Sequence, residues 1–186
     1  MIYLLLANGF EEIEALTPAD LLRRAGKQVF TVSIDGGADA PDREVTGRSN
    51  IKVIADIEMA EMKLDSELEM LILPGGLPGV DNLYACDKVR NAIEFCAENN
   101  IFIASICAAP SILGKMDLLK GKKATCYPGF EKYLEGAEIF DEAVVVDGKF
   151  ITARSAGVSM QFSFMLVELL CGAKAREKLG VAIGYE

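Results

Sequence analysis

Short apolar runs alternate with amphipathic stretches along this whole chain, and this alternation restricts its fold more than any other feature. The apolar runs that predict strands are residues 2–6, 29–34, 70–73, 102–106 and 123–126. Apolar residues recur at helical spacing in segments 13–25, 87–98, 111–116 and 158–171. Strands that alternate with helices favour a mostly parallel sheet with helices on both faces. The expected fold class is therefore α/β and doubly wound.

Two pairs of short segments predict β-hairpins beside this sheet. Residues 43–46 and 51–54 follow a turn-forming cluster at 35–41, and residues 143–147 and 149–152 flank a glycine turn. A last short helix is expected at 173–179. No internal repeat, low-complexity tract or linker interrupts the pattern, so residues 1–186 are expected to form a single domain.

Composition excludes several function classes. The chain has 51% hydrophobic residues, which predicts a folded globular protein. Its net charge of −9 leaves no excess of Lys and Arg to neutralise phosphates, which disfavours nucleic acid and anionic membranes as partners. No run approaches the roughly 20 apolar residues of a membrane span. The brief apolar start predicts a first strand rather than a signal peptide.

The five cysteines are scattered and share no metal-binding spacing. They are Cys86, Cys96, Cys107, Cys126 and Cys171, and the chain contains no histidine. We therefore expect no metal site, and reduced thiols in a cytoplasmic protein are the simplest interpretation. The glycine-rich segment 74–79 matches neither a dinucleotide fingerprint nor a Walker loop, so no cofactor is expected.

Cys107 is the strongest candidate for chemistry. It ends the apolar run 102–106 and is followed by Ala108, Ala109, Pro110 and a helical segment. This order predicts a strand, a sharp turn and a helix with the thiol at the turn, as in nucleophile elbows, and a helix N-terminus favours thiolate over thiol. A buried structural cysteine is the ordinary alternative, and it is the interpretation that we prefer for the other four. Without histidine, no Cys–His pair can form.

Two further loops are expected at the same end of the sheet, where ligands bind in parallel α/β folds. The loop at 7–14 carries three glutamates, and a buried one with a raised pKa can stay protonated and hydrogen-bond a thiolate. Acidic residues in a first helical turn are also ordinary complements of the helix dipole, and spacing alone selects none of the three. In the loop at 74–79, Gly75 and Gly76 allow backbone N–H groups to approach an anion, and with the Ala108 N–H they can form an oxyanion hole.

Three other residues are weaker candidates for the neighbourhood of the thiol. Arg48 and Arg154 lie near turn or strand-end positions, although a solvated or ion-paired surface arginine is the more ordinary interpretation. Tyr127 follows Cys126 in a loop that can approach the site. We carry Tyr127, Arg48 and Arg154 forward as possible site neighbours.

Five motifs occur in an order that resembles the ThiJ/PfpI superfamily over essentially the whole chain. They are Gly9-Phe-Glu-Glu-Ile-Glu14, Asp20-Leu-Leu-Arg-Arg-Ala-Gly26, Leu73-Pro-Gly-Gly76, Ala104-Ser-Ile-Cys-Ala-Ala-Pro110 and Thr152-Ala-Arg-Ser-Ala-Gly157. Each motif is weak alone, and the set is specific. The sequence is most similar to the branch that contains the parkinsonism-associated deglycase and its bacterial YajL-like relatives.

The resemblance implies a flavodoxin-like sandwich, similar to class I glutamine amidotransferases, in a homodimer. It implies that Cys107 is the reactive cysteine, that Glu14 is a protonated acid bonded to it, and that Gly75, Gly76 and Ala108 form an anion pocket. It implies cofactor-independent glyoxalase or deglycase chemistry on small reactive carbonyls such as methylglyoxal. Oxidation sensing and chaperone activity are further roles described for such proteins.

Two departures from the superfamily pattern concern histidine. The peptidase branch has histidine directly after the cysteine, where this chain has Ala108, and the deglycase branch commonly has one near the position of Tyr127. Both departures disfavour Cys–His hydrolysis, and an amidotransferase triad is excluded for the same reason. Carbonyl chemistry, redox sensing and a binding protein that has lost its chemistry remain the open alternatives.

Overall fold

A seven-stranded sheet organises the computed structural model, which describes residues 1–34 and 43–185. The turn cluster predicted at 35–41 lies outside the described residues. The strands of this sheet are β1 (Ile2–Leu6), β2 (Val29–Ser33), β5 (Ile57–Glu58), β6 (Met70–Leu73), β7 (Phe102–Ile106), β10 (Val144–Asp147) and β11 (Phe150–Ala153). Their order across the sheet is β10-β11-β7-β6-β1-β2-β5, and every neighbouring pair is parallel except β10 with β11.

Helices cover both faces of this sheet. They are α1 (Glu12–Arg24), α2 (Gly79–Ala85), α3 (Asp87–Glu98), α4 (Pro110–Lys115), α5 (Ser159–Cys171) and α6 (Ala173–Ile183). Alternate residues of β1 separate the two cores, since Leu4 packs with α1, α5 and α6 whereas Leu5 packs with α2, α3 and α4. All five residues of β1 are buried, as expected for a strand covered on both faces. The predicted flavodoxin-like α/β fold is confirmed.

The chain reverses its direction of travel across the sheet between β1 and β6. It passes from β1 to β2 on one side and later returns to β6 on the other side, so that the ends of β1 and β6 lie beside each other. Such a switch point opens a crevice at the carboxyl ends of parallel strands. The loops that follow β1, β6 and β7 therefore meet at one end of the sheet.

Most predicted elements are confirmed, including both hairpins. One is β3 (Glu44–Thr46) with β4 (Lys52–Ile54), and the other is β10 with β11. The strand predicted at 123–126 is shorter, because β8 (Lys123–Ala124) pairs only with β9 (Glu138–Ile139) outside the main sheet. After β8 the Thr125 N–H donates to the Thr152 hydroxyl, at 2.9 Å, and the chain turns over the end of the sheet.

Other elements differ from the sequence prediction as well. Helix α2, the edge strand β5 and strand β9 were not predicted, and α6 continues beyond residue 179 to Ile183. These three missed elements are short, and α2 begins at a glycine, so none has a strong periodic pattern. Among the described residues, no helix is both long and apolar enough to span a bilayer.

Candidate active site

Cys107 occupies a sharp turn between β7 and α4. Its φ is +64°, in the left-handed region that residues other than glycine adopt at a cost. Two backbone hydrogen bonds hold this conformation: the Cys107 N–H donates to the Ala153 carbonyl at 2.8 Å, and the Cys107 carbonyl accepts from the Tyr127 N–H at 2.7 Å. Pro110 begins α4 at a position where its missing N–H is not needed. The strand–turn–helix predicted around the thiol is confirmed.

Glu14 lies in the first turn of α1 and is fully buried, at 0% exposed. Its Oε2 accepts a hydrogen bond of 2.8 Å from the Gly75 N–H. Its Oε1 is buried without a well-aligned hydrogen-bond partner in the described part of the chain. The Cys107 thiol lies close enough to interact with this carboxyl and to influence its pKa. The structure thus brings together the two residues predicted to carry the chemistry.

Gly75 allows this approach because it has no side chain. A Cβ added to Gly75 would lie 2.4 Å from Oε2 of Glu14 and 2.7 Å from Cβ of Cys107, closer than real Cβ atoms come to other atoms. Glycine is required here for space, since any side chain at this position would separate the Glu14 carboxyl from the Cys107 thiol.

The anion pocket differs in one respect from the prediction. The N–H groups of Gly76 and Ala108 are directed at the Cys107 sulfur, as expected. The Gly75 N–H instead donates to Glu14 and is therefore not available to an anion at the thiol. Gly75 orients the carboxyl, and two of the three predicted donors face the sulfur.

Burial dominates the electrostatics of the pair. It raises the pKa of Glu14 from 4.5 to about 7, with the hydrogen bonds from Cys107 and Gly75 opposing the shift. Burial and the neighbouring Glu14 charge also raise the pKa of the Cys107 thiol, although the Gly76 and Ala108 N–H groups lower it. The prediction that the helix end makes thiolate the favoured form is therefore wrong in net direction. Because the two groups interact, their titrations belong to the pair, which loses its first proton near neutral pH.

A cleft of about 570 Å³ opens over the thiol. Glu11 and Arg48 line one side and form an ion pair of 3.2 Å. Tyr127, Phe130 and Leu77 contribute apolar and aromatic surface, and the residues at 155–157 complete the lining. Arg48 and Tyr127 therefore lie at the site, as predicted.

The three glutamates of the first loop have three different partners. Glu11 pairs with Arg48, and Glu14 meets the thiol. Glu12 is buried, and its Oε1 accepts from the N–H groups of Ser49 and Ile51, at 2.8 and 3.4 Å. Glu12 thus fixes the β3–β4 turn that carries Arg48 to the edge of the cleft.

Arg154 does not reach the cleft. Its guanidinium pairs with the exposed Asp141, and its side chain is absent from the lining, so it is a surface ion pair rather than a site neighbour. The lining residues that sequence reasoning missed are Phe130, Leu77, Ser155, Ala156 and Gly157. The last three belong to the motif at 152–157, which was a usable signal. Phe130 and Leu77 follow no periodic pattern.

The remaining cysteines have the ordinary roles expected for them. All five are unpaired, and Cys96 and Cys126 are buried in the core, where burial raises the pKa of each to about 12. Cys86 and Cys171 are partly exposed. Within residues 1–34 and 43–185, no three His, Cys, Asp or Glu side chains are grouped so as to hold a metal ion.

Because its pKa is raised in the folded protein, Glu14 should make the free energy of unfolding depend on pH. Between about 4.5 and about 7 the folded protein retains a proton that the unfolded chain has lost, so the free energy of unfolding falls as pH rises. This shift contributes roughly 3 kcal/mol to the free energy of unfolding. The contribution is fully present below the pKa of Glu14 in the unfolded chain and is lost above its pKa in the folded protein. Glu14→Gln should remove this part of the slope, measured by urea unfolding across that pH range. An unchanged slope in the variant would show that the Glu14 pKa is not raised.

Comparison with known proteins places the chain in a family. A model of the DJ-1/PfpI family matches residues 1–169. Protein DJ-1 homolog B of Arabidopsis thaliana is 38% identical over 170 residues, 89% of this chain and 37% of that protein. The chain thus spans only about two fifths of the length of that relative and of DJ-1 homolog A from the same plant.

Solved structures of similar proteins cover both partners almost completely. Drosophila melanogaster DJ-1beta superposes with a TM-score of 0.92 at 28% identity, over 100% of this chain and 97% of that one. An oxidized form of Toxoplasma gondii DJ-1 superposes with a TM-score of 0.90 at 26% identity, over 99% and 97% of the two chains. The resemblance inferred from the motifs is confirmed, and the chain belongs to the DJ-1/PfpI family.

Proposed function

We propose that this protein is a cofactor-independent enzyme that converts 2-oxoaldehydes such as methylglyoxal into 2-hydroxy acids. Cys107 is the nucleophile and Glu14 carries the protons. The observation that supports this proposal best is the buried Glu14 carboxyl, whose pKa of about 7 suits it to exchange protons at neutral pH, beside a thiol that opens onto a cleft.

The first half of the reaction forms a hemithioacetal. The Glu14 carboxylate takes the thiol proton while the Cys107 sulfur adds to the aldehyde carbon, and the C=O bond becomes an alkoxide. The N–H groups of Gly76 and Ala108 stabilise this negative oxygen as it forms. Glu14 then gives its proton to the alkoxide and is again a carboxylate.

The second half is an internal redox step that needs no external oxidant. Glu14 removes the hydrogen of the former aldehyde carbon as a proton, and the electrons shift to the adjacent ketone to give an enediolate. Glu14 then protonates the second carbon, while the hydroxyl proton of the first carbon moves to the oxygen of the second. The first carbon is thereby oxidised to a thioester and the second is reduced to an alcohol. Water, deprotonated by Glu14, attacks the thioester, the Cys107 thiolate leaves and regains a proton, and the 2-hydroxy acid is released.

This sequence of steps requires no histidine. Each proton transfer to or from sulfur or carbon passes through the Glu14 carboxyl, which is buried next to the sulfur. At this short distance the carboxyl takes the role that the imidazole has in a Cys–His pair. Tyr127 lines the cleft, but a phenol is a poor general base at neutral pH. Glu14 is therefore the residue on which the proposal depends.

The direct test is incubation of purified protein with methylglyoxal, without glutathione, and measurement of lactate. We expect turnover by the wild type, none by Cys107→Ala, and a loss of about 10²–10⁴-fold in kcat/KM for Glu14→Gln. Cys86→Ala, at another partly exposed thiol, is the matched control and should keep full activity. Equal lactate formation by wild type and Cys107→Ala would refute the proposal.

A second candidate function is redox sensing, including a chaperone activity switched by oxidation. A structural neighbour of this fold is known in an oxidized form. At Cys107, peroxide would accept the thiolate electrons to give sulfenic acid and water, and a second equivalent would give sulfinic acid. A protonated Glu14 is placed to donate a hydrogen bond to the resulting anion.

Mass spectrometry after mild peroxide treatment tests this candidate. We expect Cys107 to gain two oxygen atoms selectively, because Glu14 and the two N–H groups stabilise the sulfinate, and Glu14→Gln to lower the yield. Cys86 and Cys171 serve as internal controls of similar exposure. Oxidation of all three at equal rates would exclude the redox function. If carbonyl turnover is also absent, a binding protein without catalytic activity remains.

We also propose that the whole chain acts as one domain in a cytoplasmic homodimer. Proteins of the DJ-1 family are commonly dimeric. Exposed apolar side chains cluster on α1 and on the neighbouring β3–β4 hairpin, at Ile13, Leu16, Ile51 and Ile54. The Glu12 contact with the hairpin makes these two elements adjoin, so they form one apolar face that a second copy can cover.

Sedimentation of the wild type and two variants tests the dimer. Ile54 is 72% exposed on the proposed face, and Val181 is 80% exposed on α6. Ile54→Glu should shift a dimeric wild type to monomer, because a buried unpaired charge opposes association, whereas Val181→Glu should leave it dimeric. A monomeric wild type at about 20 μM, or equal effects of the two variants, would contradict the proposal.

A further inference from the structure

The cleft over Cys107 is larger than a three-carbon dicarbonyl needs. Its volume of about 570 Å³ falls in the range of roughly 300–1,000 Å³ that is typical of sites for much bigger ligands. Methylglyoxal held at the thiol would leave most of this space to water. The cleft therefore has room for a substituent on the substrate beyond the two reacting carbonyl groups.

Part of the cleft lining is aromatic and apolar. Tyr127, Phe130 and Leu77 belong to it, and we call these three residues the aromatic wall. Tyr127 is 46% exposed and Leu77 is 48% exposed, so both present apolar surface that a ligand in the cleft can cover.

The aromatic wall is held in place before any ligand binds. The Tyr127 ring meets Phe130 edge to face, with centroids 6.3 Å apart, and Phe130 lies 5.6 Å from Tyr133. The Lys115 ammonium lies over the Tyr133 ring at 5.0 Å. The Tyr127 N–H also donates to the Cys107 carbonyl, so the wall keeps a constant position relative to the nucleophile.

The charged part of the lining offers no unpaired charge to a ligand. Glu11 and Arg48 form an ion pair of 3.2 Å with each other. With these two charges paired, the ring surfaces are the part of the lining that favours a flat apolar group. The complementary group is therefore flat, uncharged and apolar, and it can stack on or meet the edges of the rings.

We propose that the aromatic wall makes carbonyl compounds with an uncharged aromatic substituent the preferred ligands of this cleft. Tyr127 and Phe130 are then specificity-determining residues. For substrates, this inference rests on the carbonyl chemistry proposed above: an aryl 2-oxoaldehyde gains water and becomes an aryl 2-hydroxy acid through the same balanced steps. Phenylglyoxal, which would give mandelate, is the simplest such substrate.

The activity test compares phenylglyoxal with methylglyoxal in the wild type, Tyr127→Ala, Tyr127→Phe and Phe130→Leu. We expect kcat/KM of the wild type to be about tenfold higher for phenylglyoxal. Tyr127→Ala should lower kcat/KM for phenylglyoxal more than for methylglyoxal and so remove this preference, whereas Tyr127→Phe keeps the ring and the preference. Phe130→Leu should weaken it while preserving apolar volume. Intact mass verifies that no arginine has reacted with the dicarbonyl.

A binding test without chemistry separates this inference from the proposed function. Ligand-observed NMR on Cys107→Ala compares acetophenone with acetone, and we expect acetophenone to bind about tenfold more tightly and to lose this advantage in Cys107→Ala combined with Tyr127→Ala. Methylglyoxal turnover without any aryl preference in either test overturns the inference and leaves the proposed function standing. Turnover of neither aldehyde, with acetophenone still bound at the wall, refutes the carbonyl chemistry and supports the aromatic preference.

Discussion

The contact between the buried Glu14 carboxyl and the Cys107 thiol is the interaction on which the rest of the site depends. It requires that α1 begin beside the end of β7, and the reversal of the chain between β1 and β6 provides that placement. It also requires that Gly75 lack a side chain, because a Cβ would collide with both groups. Burial then raises both pKa values, and the pair loses its first proton near neutral pH.

The other features of the site surround this pair. Gly76 and Ala108 direct N–H groups at the sulfur, and Glu12 fixes the hairpin that carries Arg48. The loop after β8 supplies Tyr127 and Phe130 of the aromatic wall, and the Tyr127 N–H is bonded to the carbonyl of the nucleophile. In the proposed function, proton exchange is concentrated in one carboxyl, while the shape and polarity of the cleft are set by residues from several separate loops. The proposed carbonyl chemistry therefore needs no histidine.

Local patterns predicted a large part of this structure. The strand–turn–helix at Cys107 follows from a buried run that ends in small residues and proline, and the main sheet follows from alternation of strands and helices. Spacing was unable to distinguish Glu14 from Glu11 and Glu12, because the rotation of α1 against the sheet decides which carboxyl is buried. Only three-dimensional packing shows that Gly75 serves Glu14, that Arg154 pairs with Asp141, and that Phe130 turns into the cleft. The prediction of a thiolate was wrong because burial raises the pKa of Cys107 more than the local N–H groups lower it.

The pH dependence of Cys107 alkylation by iodoacetamide tests the coupling between the Glu14 carboxyl and the Cys107 thiol most directly. Loss of the first proton from the pair gives a fraction of thiolate beside protonated Glu14, so the wild-type rate should rise with an apparent pKa of about 7. Glu14→Gln should lose this inflection, and its rate should go on rising at higher pH, because the thiol then titrates alone with a pKa that burial raises. If wild type and variant instead share one profile near the free-thiol pKa of about 8.5, the two groups are not coupled and the account of this site is contradicted.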